Sequence, residues 1–253
     1  MKTFKMKTKF SKRIKFVPLL ATAFVMLQSF VIADLCSEMK IFESGLVLKT
    51  VLHDTQDKVL ATAEVRIDSI LSLGSSTEAF GTSEIFDAKG KSLRKQAMSY
   101  HCIDEDFEPD FMQGITDFIF FQPVRPEKRI NGCIIRISPL LYPLNIQKGD
   151  TLPGGSMQMV VQESWGASTV QAKWERRVCL GDDTVMVGGK AYNTKKIQTF
   201  CSIRLKKGPV TMGDVKYSIT EWFSPGYGIL KTESFQEAKP VRNTRVISIK
   251  EGE

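Results

Sequence analysis

The 253-residue chain has two histidines, five cysteines and three tryptophans. With only His53 and His101, and with Cys36, Cys102, Cys133, Cys179 and Cys201 spread far apart, there is little material for a zinc cluster. No metal ion and no cofactor is expected. Phosphate loops are missing too, because GLVLK and VGGK place a glycine near a lysine without the GxxxxGK spacing. No basic patch with interleaved aromatics stands out. The 35 Lys and Arg exceed the 28 Asp and Glu by seven, but that excess lies in residues 1–33, so residues 34–253 are formally neutral. The sequence therefore gives no reason to expect a nucleic-acid partner.

Long apolar runs are also absent, with one exception. Seven Lys or Arg and no acid occupy residues 1–15, followed by the uncharged FVPLLATAFVMLQSFVIA at 16–33. This is the order of a secretory signal, and Pro18 and Gln28 interrupt a run already short of the roughly 20 residues that cross a bilayer. The reading is a signal peptide at 1–33 and a single β-rich domain at 34–253, exported to the periplasm or cell envelope. An uncleaved N-terminal anchor is the alternative; after cleavage no integral membrane segment is expected. Lipid attachment at Cys36 is disfavoured, since lipoprotein processing wants small residues where Asp34 and Leu35 stand. Disulfides persist in such a compartment, and an odd cysteine count leaves at least one thiol free or paired between chains. Cys179 with Cys201 is expected, from consecutive strands joined through a Gly-rich hairpin, with Cys102–Cys133 as a second bridge.

Alternation dominates the rest of the text. GLVLKTVL and VLATAEVRIDSIL read as neighbouring antiparallel strands around the polar turn HDTQDK. Residues 73–92 are rich in Gly, Ser and Thr and read as loop with fragments of strand. A short helix is expected at 92–101, and 110–122 reads as helix or strand. A strand at 132–137 and a Pro-punctuated crossing follow. From there to 236 the chain is a meander: SMQMVVQESW, STVQAKWERRVCL, DDTVMVGGKAY, KIQTFCSIRLKK, VKYSITEWFSP and YGILKTESF, then a weaker TRVISIK. In 169–179, Val170, Ala172, Trp174, Arg176 and Val178 share the expected core face, Arg176 awkwardly. In 215–223, Val215, Tyr217, Ile219 and Glu221 oppose Lys216, Ser218, Thr220 and Trp222, a mixed pattern that suits a sheet lining a cleft.

TEWFSPGYGILKTES, at 220–234, reads as hairpin mechanics. Pro225 fixes one backbone angle, and Gly226 and Gly228 supply freedom for the reversal. Trp-Phe-Ser-Pro-Gly-Tyr-Gly followed by Ile-Leu-Lys also resembles the closing hairpin of a family of bacterial exported proteins of unknown function. The preceding Val185, Val187, Gly188, Gly189, Tyr192, Thr194 and Ile197 fit the strand that those proteins place before it. The second glycine at 188–189 and the Lys-rich YNTKKIQ depart from their pattern. The resemblance covers about 150–236 and implies a strongly curved antiparallel sheet or half-open barrel, similar to periplasmic lipoprotein carriers, with helical or loop cover on the concave side. It brings no catalytic residues.

Catalytic constellations are thin. Ser44, His53 and Asp54 form a triad only on paper, without a nucleophile elbow. His101 and Cys102 are adjacent strand residues that point apart. A hydrolase gains ground only if folding brings His101 within reach of an exposed Ser or Cys. DEDFEPD at 104–110 lacks the glycine-centred calcium loop. The mainly β fold instead suggests a noncatalytic binding or chaperone-like protein for a lipid, another apolar ligand or an envelope component. Phe118, Phe121, Trp174, Tyr217, Trp222 and Tyr227 are the candidate ligand contacts. The alternative is a structural or interaction module that binds another envelope protein.

Overall fold

The computed structural model describes residues 35–109, 133–163 and 166–252. The expected signal at 1–33 lies outside them, as do Phe118 and Phe121. After a 3-10 turn at Lys40–Phe42, fourteen strands follow: β1 Val47–His53, β2 Val59–Leu73, β3 Ser76–Asp87, β4 Ser92–Ile103, β5 Asp106–Glu108, β6 Cys133–Ser138, β7 Tyr142–Pro143, β8 Thr151–Leu152, β9 Gly155–Glu163, β10 Gly166–Val187, β11 Lys190–Lys207, β12 Val210–Ser224, β13 Gly228–Gln236 and β14 Lys239–Lys250. The described pairings are antiparallel and form one sheet, ordered β6-β9-β10-β11-β12-β13-β14-β1-β2-β3-β4-β5-β7, with β8 beside β10. The sheet does not close into a barrel.

Its curvature follows from one set of contacts. β5 and β12 stand seven places apart in the sheet, about 34 Å if the sheet were flat at ~4.8 Å per strand. Yet the rings of Phe107 on β5 and Phe223 on β12 stack at 5.9 Å, and Tyr142 on β7 lies 5.0 Å from Phe223. The sheet must curl until its distant strands face each other. With no α-helix among the described residues, the concave face is covered by the 3-10 turn and by the crossing after β6, which bury Ile41, Phe42, Leu140, Tyr142, Leu144 and Ile146. The expected loop cover is therefore present.

Several local expectations are corrected. Residues 92–101 belong to strand β4, because Met98, Tyr100 and Cys102 alternate inward and β3 supplies hydrogen-bonding partners along its length. Within 73–92, β3 is a full strand between tight turns. The expected break between STVQAKWERRVCL and DDTVMVGGKAY is a bulge: β10 runs on through Gly181, whose φ of 122° no other residue adopts readily.

A second bulge changes the face assignment. Glu175 pairs with Phe200 but Val178 pairs with Gln198, so Arg176 and Arg177 together oppose Thr199. Arg176 takes φ 52° and turns outward over the Phe200 ring. The alternation thereby slips by one, and Arg177, not Arg176, enters the core. Val178 moves off the core face and Cys179 joins it.

Both expected disulfides are overturned. Cys36 bonds Cys102, with Cα atoms 5.6 Å apart, so Cys102 is not available to Cys133. Cys179 and Cys201 are buried free thiols: Cys179 pairs with Ile197 and Cys201 with Trp174, so they share a face without being opposite. The Cys36–Cys102 link spans 66 residues and fastens the segment before β1 to β4. Cross-links over loops of that length typically stabilise by about 2–4 kcal/mol.

The 224–228 turn holds a further correction. The Tyr227 amide donates to the Ser224 carbonyl and Gly226 is not left-handed, whereas Gly228 has φ 77°. Ser224–Tyr227 thus closes as a β-turn, and the left-handed residue comes directly after it. Gly228, not Gly226, is the position that demands glycine: a Cβ there would also come 3.3 Å from Phe107 Cε1, while one at Gly226 meets nothing. Gly228→Ala is expected to destabilise by about 1–2 kcal/mol and Gly226→Ala by a few tenths at most, as read by urea denaturation.

Candidate functional site

Inside the curl, β1, β2, β4, β12, β13 and β14 enclose a cavity of about 200 Å³. The register explains its lining. Leu48, Thr50 and Leu52 of β1 alternate onto the concave face, and Val246 and Thr244 lie opposite Thr50 and Leu52 on β14. Ile219 and Glu221 of β12 face Ser234 and Thr232 of β13. Trp174, Tyr142, Phe107 and Ile41 add further apolar wall, and Arg242, Asn243 and Tyr227 complete it. The Thr232 and Thr244 hydroxyls bond each other at 2.6 Å, which lowers their demand for another partner.

Two polar side chains of the lining, Glu221 and Tyr142, are buried, and Arg177 packs behind Tyr142. Glu221 is 6% exposed, while Tyr142 and Arg177 are fully buried. The Arg177 guanidinium lies 4.4 Å from the centre of the Tyr142 ring and its Nη1 donates to the carbonyls of Leu141 and Pro153, at 2.9 and 2.7 Å. The Tyr142 hydroxyl donates to Glu221 Oε1 at 3.1 Å, and Thr199 donates to Oε2 at 3.4 Å. Arg177 Nε and Nη2 are buried without a hydrogen-bond partner. Burial pushes the Glu221 carboxyl above the ordinary carboxylate range, opposed by the Arg177 charge and by the bonds from Tyr142 and Thr199. Burial first, and the Glu221 charge second, push the nearby Cys201 thiol up to about 12. A thiol so held stays protonated at neutral pH and is a poor nucleophile.

The sequence candidates divide. Trp174 and Tyr227 line the cavity. Tyr217 is half-buried on the same face, one step along β12 from Ile219, outside the cavity wall. Trp222 lies outside the cavity wall, in a separate cluster with Val185, Val187 and Leu230 that the cavity-lining Val246 also joins. Its indole N–H donates to Asp183 Oδ2 at 2.8 Å, and Lys231 and Lys196, its cross-strand neighbours, sit 4.2 and 5.0 Å from its rings. It is scaffold. Pro225 and Gly226 shape the turn, and the Gly226 carbonyl receives the Ile41 amide. Sequence reading missed Arg177 and Tyr142 altogether and noted Glu221 only as a misfit on a mixed face.

The paper triad is dispersed by local bonds. Ser44 donates to the Asp68 carbonyl, His53 Nδ1 to the Asp57 carbonyl, and Asp54 accepts the amides of Gln56 and Lys58. His101 does meet a serine: Ser99 Oγ lies 3.0 Å from His101 Nε2, and Glu78 Oε1 lies 3.3 Å from that same nitrogen. A relay needs the acid on one ring nitrogen and the hydroxyl on the other. Cys102 is in its disulfide. Asp104 and Glu105 of the acidic run form the β4–β5 turn, with φ of 50° and 69°.

A family profile described as DUF3108-like matches residues 43–246. The chain belongs to the DUF3108-like family. Membership thus takes in β1–β5, which the closing-hairpin motif did not reach. No curated protein matches the chain in sequence. Among solved structures, a Bacteroides fragilis protein described as exported and YmcC-like in fold is 16% identical, with a TM-score of 0.63 over 82% of this chain and 96% of its own. A Parabacteroides distasonis protein described as a lipoprotein is 15% identical, with a TM-score of 0.65 over 83% of this chain and 96% of its own. At such identity the likeness shows the shared fold.

Two outcomes separate cavity from scaffold. Because its folded pKa is raised, Glu221 holds a proton in the folded state that the unfolded chain releases above about 4.5. Its contribution to stability is therefore full at lower pH and is lost as pH rises through the folded value. Glu221→Gln is expected to gain stability relative to wild type at neutral pH, with the gain vanishing towards about pH 4, by urea titration across pH. Trp222→Ala should cost on the order of 3–5 kcal/mol through the cavity it leaves, while its folded fraction keeps wild-type ligand uptake.

Proposed function

We propose that this DUF3108-like protein is a noncatalytic envelope protein that holds the apolar end of an amphiphilic ligand in the concave cavity. The observation that carries this reading is the cavity itself, an apolar chamber with one buried carboxyl group, Glu221, in its wall. About 200 Å³ exceeds the ~150 Å³ that admits a benzene ring, yet falls short of the roughly 300 Å³ at which whole small-molecule ligands are engulfed. The occupant is therefore one chain or ring of a larger molecule, such as an acyl chain, whose polar part stays at the rim near Arg242 and Asn243.

Export is supported by the basic and apolar leader, by the descriptions of the similar structures, and by a disulfide of the kind that persists outside the cytoplasm. The Parabacteroides protein is described as a lipoprotein. Here the thiol that would have to carry a lipid, Cys36, is bonded to Cys102. This favours release from the membrane after the leader is cleaved.

Gently purified protein should yield an acyl-bearing molecule on organic extraction and mass analysis. Thr50→Phe, which fills the chamber from β1, should reduce recovery of that molecule by about tenfold or more while the protein stays folded. An empty wild-type protein that also takes up no fatty acid from solution would overturn the reading.

A further inference from the structure

We propose that the outward face of β6, β9, β10, β11 and β12 carries a binding groove for an acidic oligosaccharide. This stands independently of what the cavity holds. Lys173 and Trp174 are successive residues of β10, so the face that bears Lys173 points away from the chamber that Trp174 lines. A polar groove of about 550 Å³ lies on that outward face. The ladder register builds it. One row of cross-strand neighbours runs Arg136–Gln158–Gln171–Arg204–Asp214, with one residue from each strand. The adjacent row on the same face runs Ser156–Lys173–Ser202–Lys216, and all of these side chains except Lys216 belong to the lining. Five neighbouring strands at ~4.8 Å spacing make the first row about 19 Å long.

Hydrogen-bonding chemistry selects the class of occupant. The amides of Gln158 and Gln171 and the hydroxyls of Ser156 and Ser202 each donate and accept. Sugar hydroxyls do both as well. A chain of phosphates only accepts, and it would leave the amide and hydroxyl oxygens of the groove unmatched. A peptide fits less well for another reason. Extended peptides bind sheets through main-chain bonds at an edge, whereas this groove crosses β9, β10 and β11, which already have a strand on each side.

Charge then places the acid. Lys173 pairs with Glu175, and Arg204 pairs with Asp214 at 2.7 Å, so the middle of the groove is neutralised from within. Arg136 at the β6 end and Lys216 at the β12 end have no ion-pair partner among the described residues. A polyhydroxylated chain with carboxylates, as uronic acids supply, meets amides and hydroxyls along its length and a cation at either end. The Arg136 guanidinium is a planar fork suited to a carboxylate.

An array of uronic-acid oligosaccharides, each beside its own methyl ester, tests the groove with the purified protein. At least one acidic series should bind, about tenfold or more tighter than its ester by calorimetric titration. Arg136→Gln combined with Lys216→Gln should bring acid and ester to equal affinity without weakening the ester. Gln158→Ala with Gln171→Ala should lower the affinity for both by about tenfold or more. The four positions are exposed or half-buried, so a melting curve like wild type is expected for each variant. No binding in any series, equal binding of acid and ester by the wild-type protein, or indifference to the groove substitutions overturns the proposal. So does polyphosphate bound as tightly as the best acidic oligosaccharide, which would make the face a general polyanion surface.

Discussion

Tyr142 occupies the point on which the curled sheet depends. From β7, at one end of the sheet, its ring packs against Phe223 of β12 and the guanidinium of Arg177 of β10, and its hydroxyl reaches Glu221. A guanidinium and a carboxyl group buried away from water are costly unless each is paired or hydrogen-bonded. Here they are joined through one phenol: the ring face meets the cation and the hydroxyl meets the carboxyl. Remove that phenol and the crossing segment loses its anchor, Arg177 loses its stacking surface, and the cavity loses part of its wall.

How a guanidinium came to be there is a matter of backbone arithmetic. A strand alternates with period two, so one inserted residue moves all that follows to the other face. The bulge at Arg176 does this within β10, and a second irregularity near Gly181 adjusts the phase again before Val185 and Val187. A single strand thereby contributes Trp174 to the cavity wall, Arg177 to the polar group behind Tyr142 and Val185 to a separate cluster.

The sequence made the meander legible because its turns are chemically marked. Gly188–Gly189, Gly208–Pro209 and Ser224–Pro225 punctuate strands whose alternation is clear. β3 and β4 were harder to read. Ser, Thr and Gly in β3 weaken its pattern, yet pairing on both sides overrides propensity, as it does for SLRKQAMSY in β4. Trp174 and Tyr227 could be picked as cavity residues from aromatic content alone, and the same criterion chose Trp222 wrongly, since composition does not say which face a residue takes. The disulfide was hidden for another reason. Cys36 lies just beyond the expected leader, in a segment with no periodicity, and only the folded sheet reveals that it returns to β4. The doublet Arg176-Arg177, placed where a core face should have continued, was the signal available for the bulge.

The pairing of β1 with β14 carries a consequence for how the molecule is made. Val47 meets Lys250, Leu52 meets Thr244, and no nearer stretch of chain supplies that neighbour. β1 to β5 can zip together by consecutive hairpins, and so can β9 to β14, but the seam between the two meanders joins residues about as distant in sequence as this chain allows. Contacts of such long range form late, after the loop between them has been closed. The cavity is bounded by both sides of that seam, so it does not exist until the last strand arrives. A chain threaded through a membrane from its first residue onward would therefore travel with its inner apolar face open. It would acquire its chamber only in the compartment where it comes to rest.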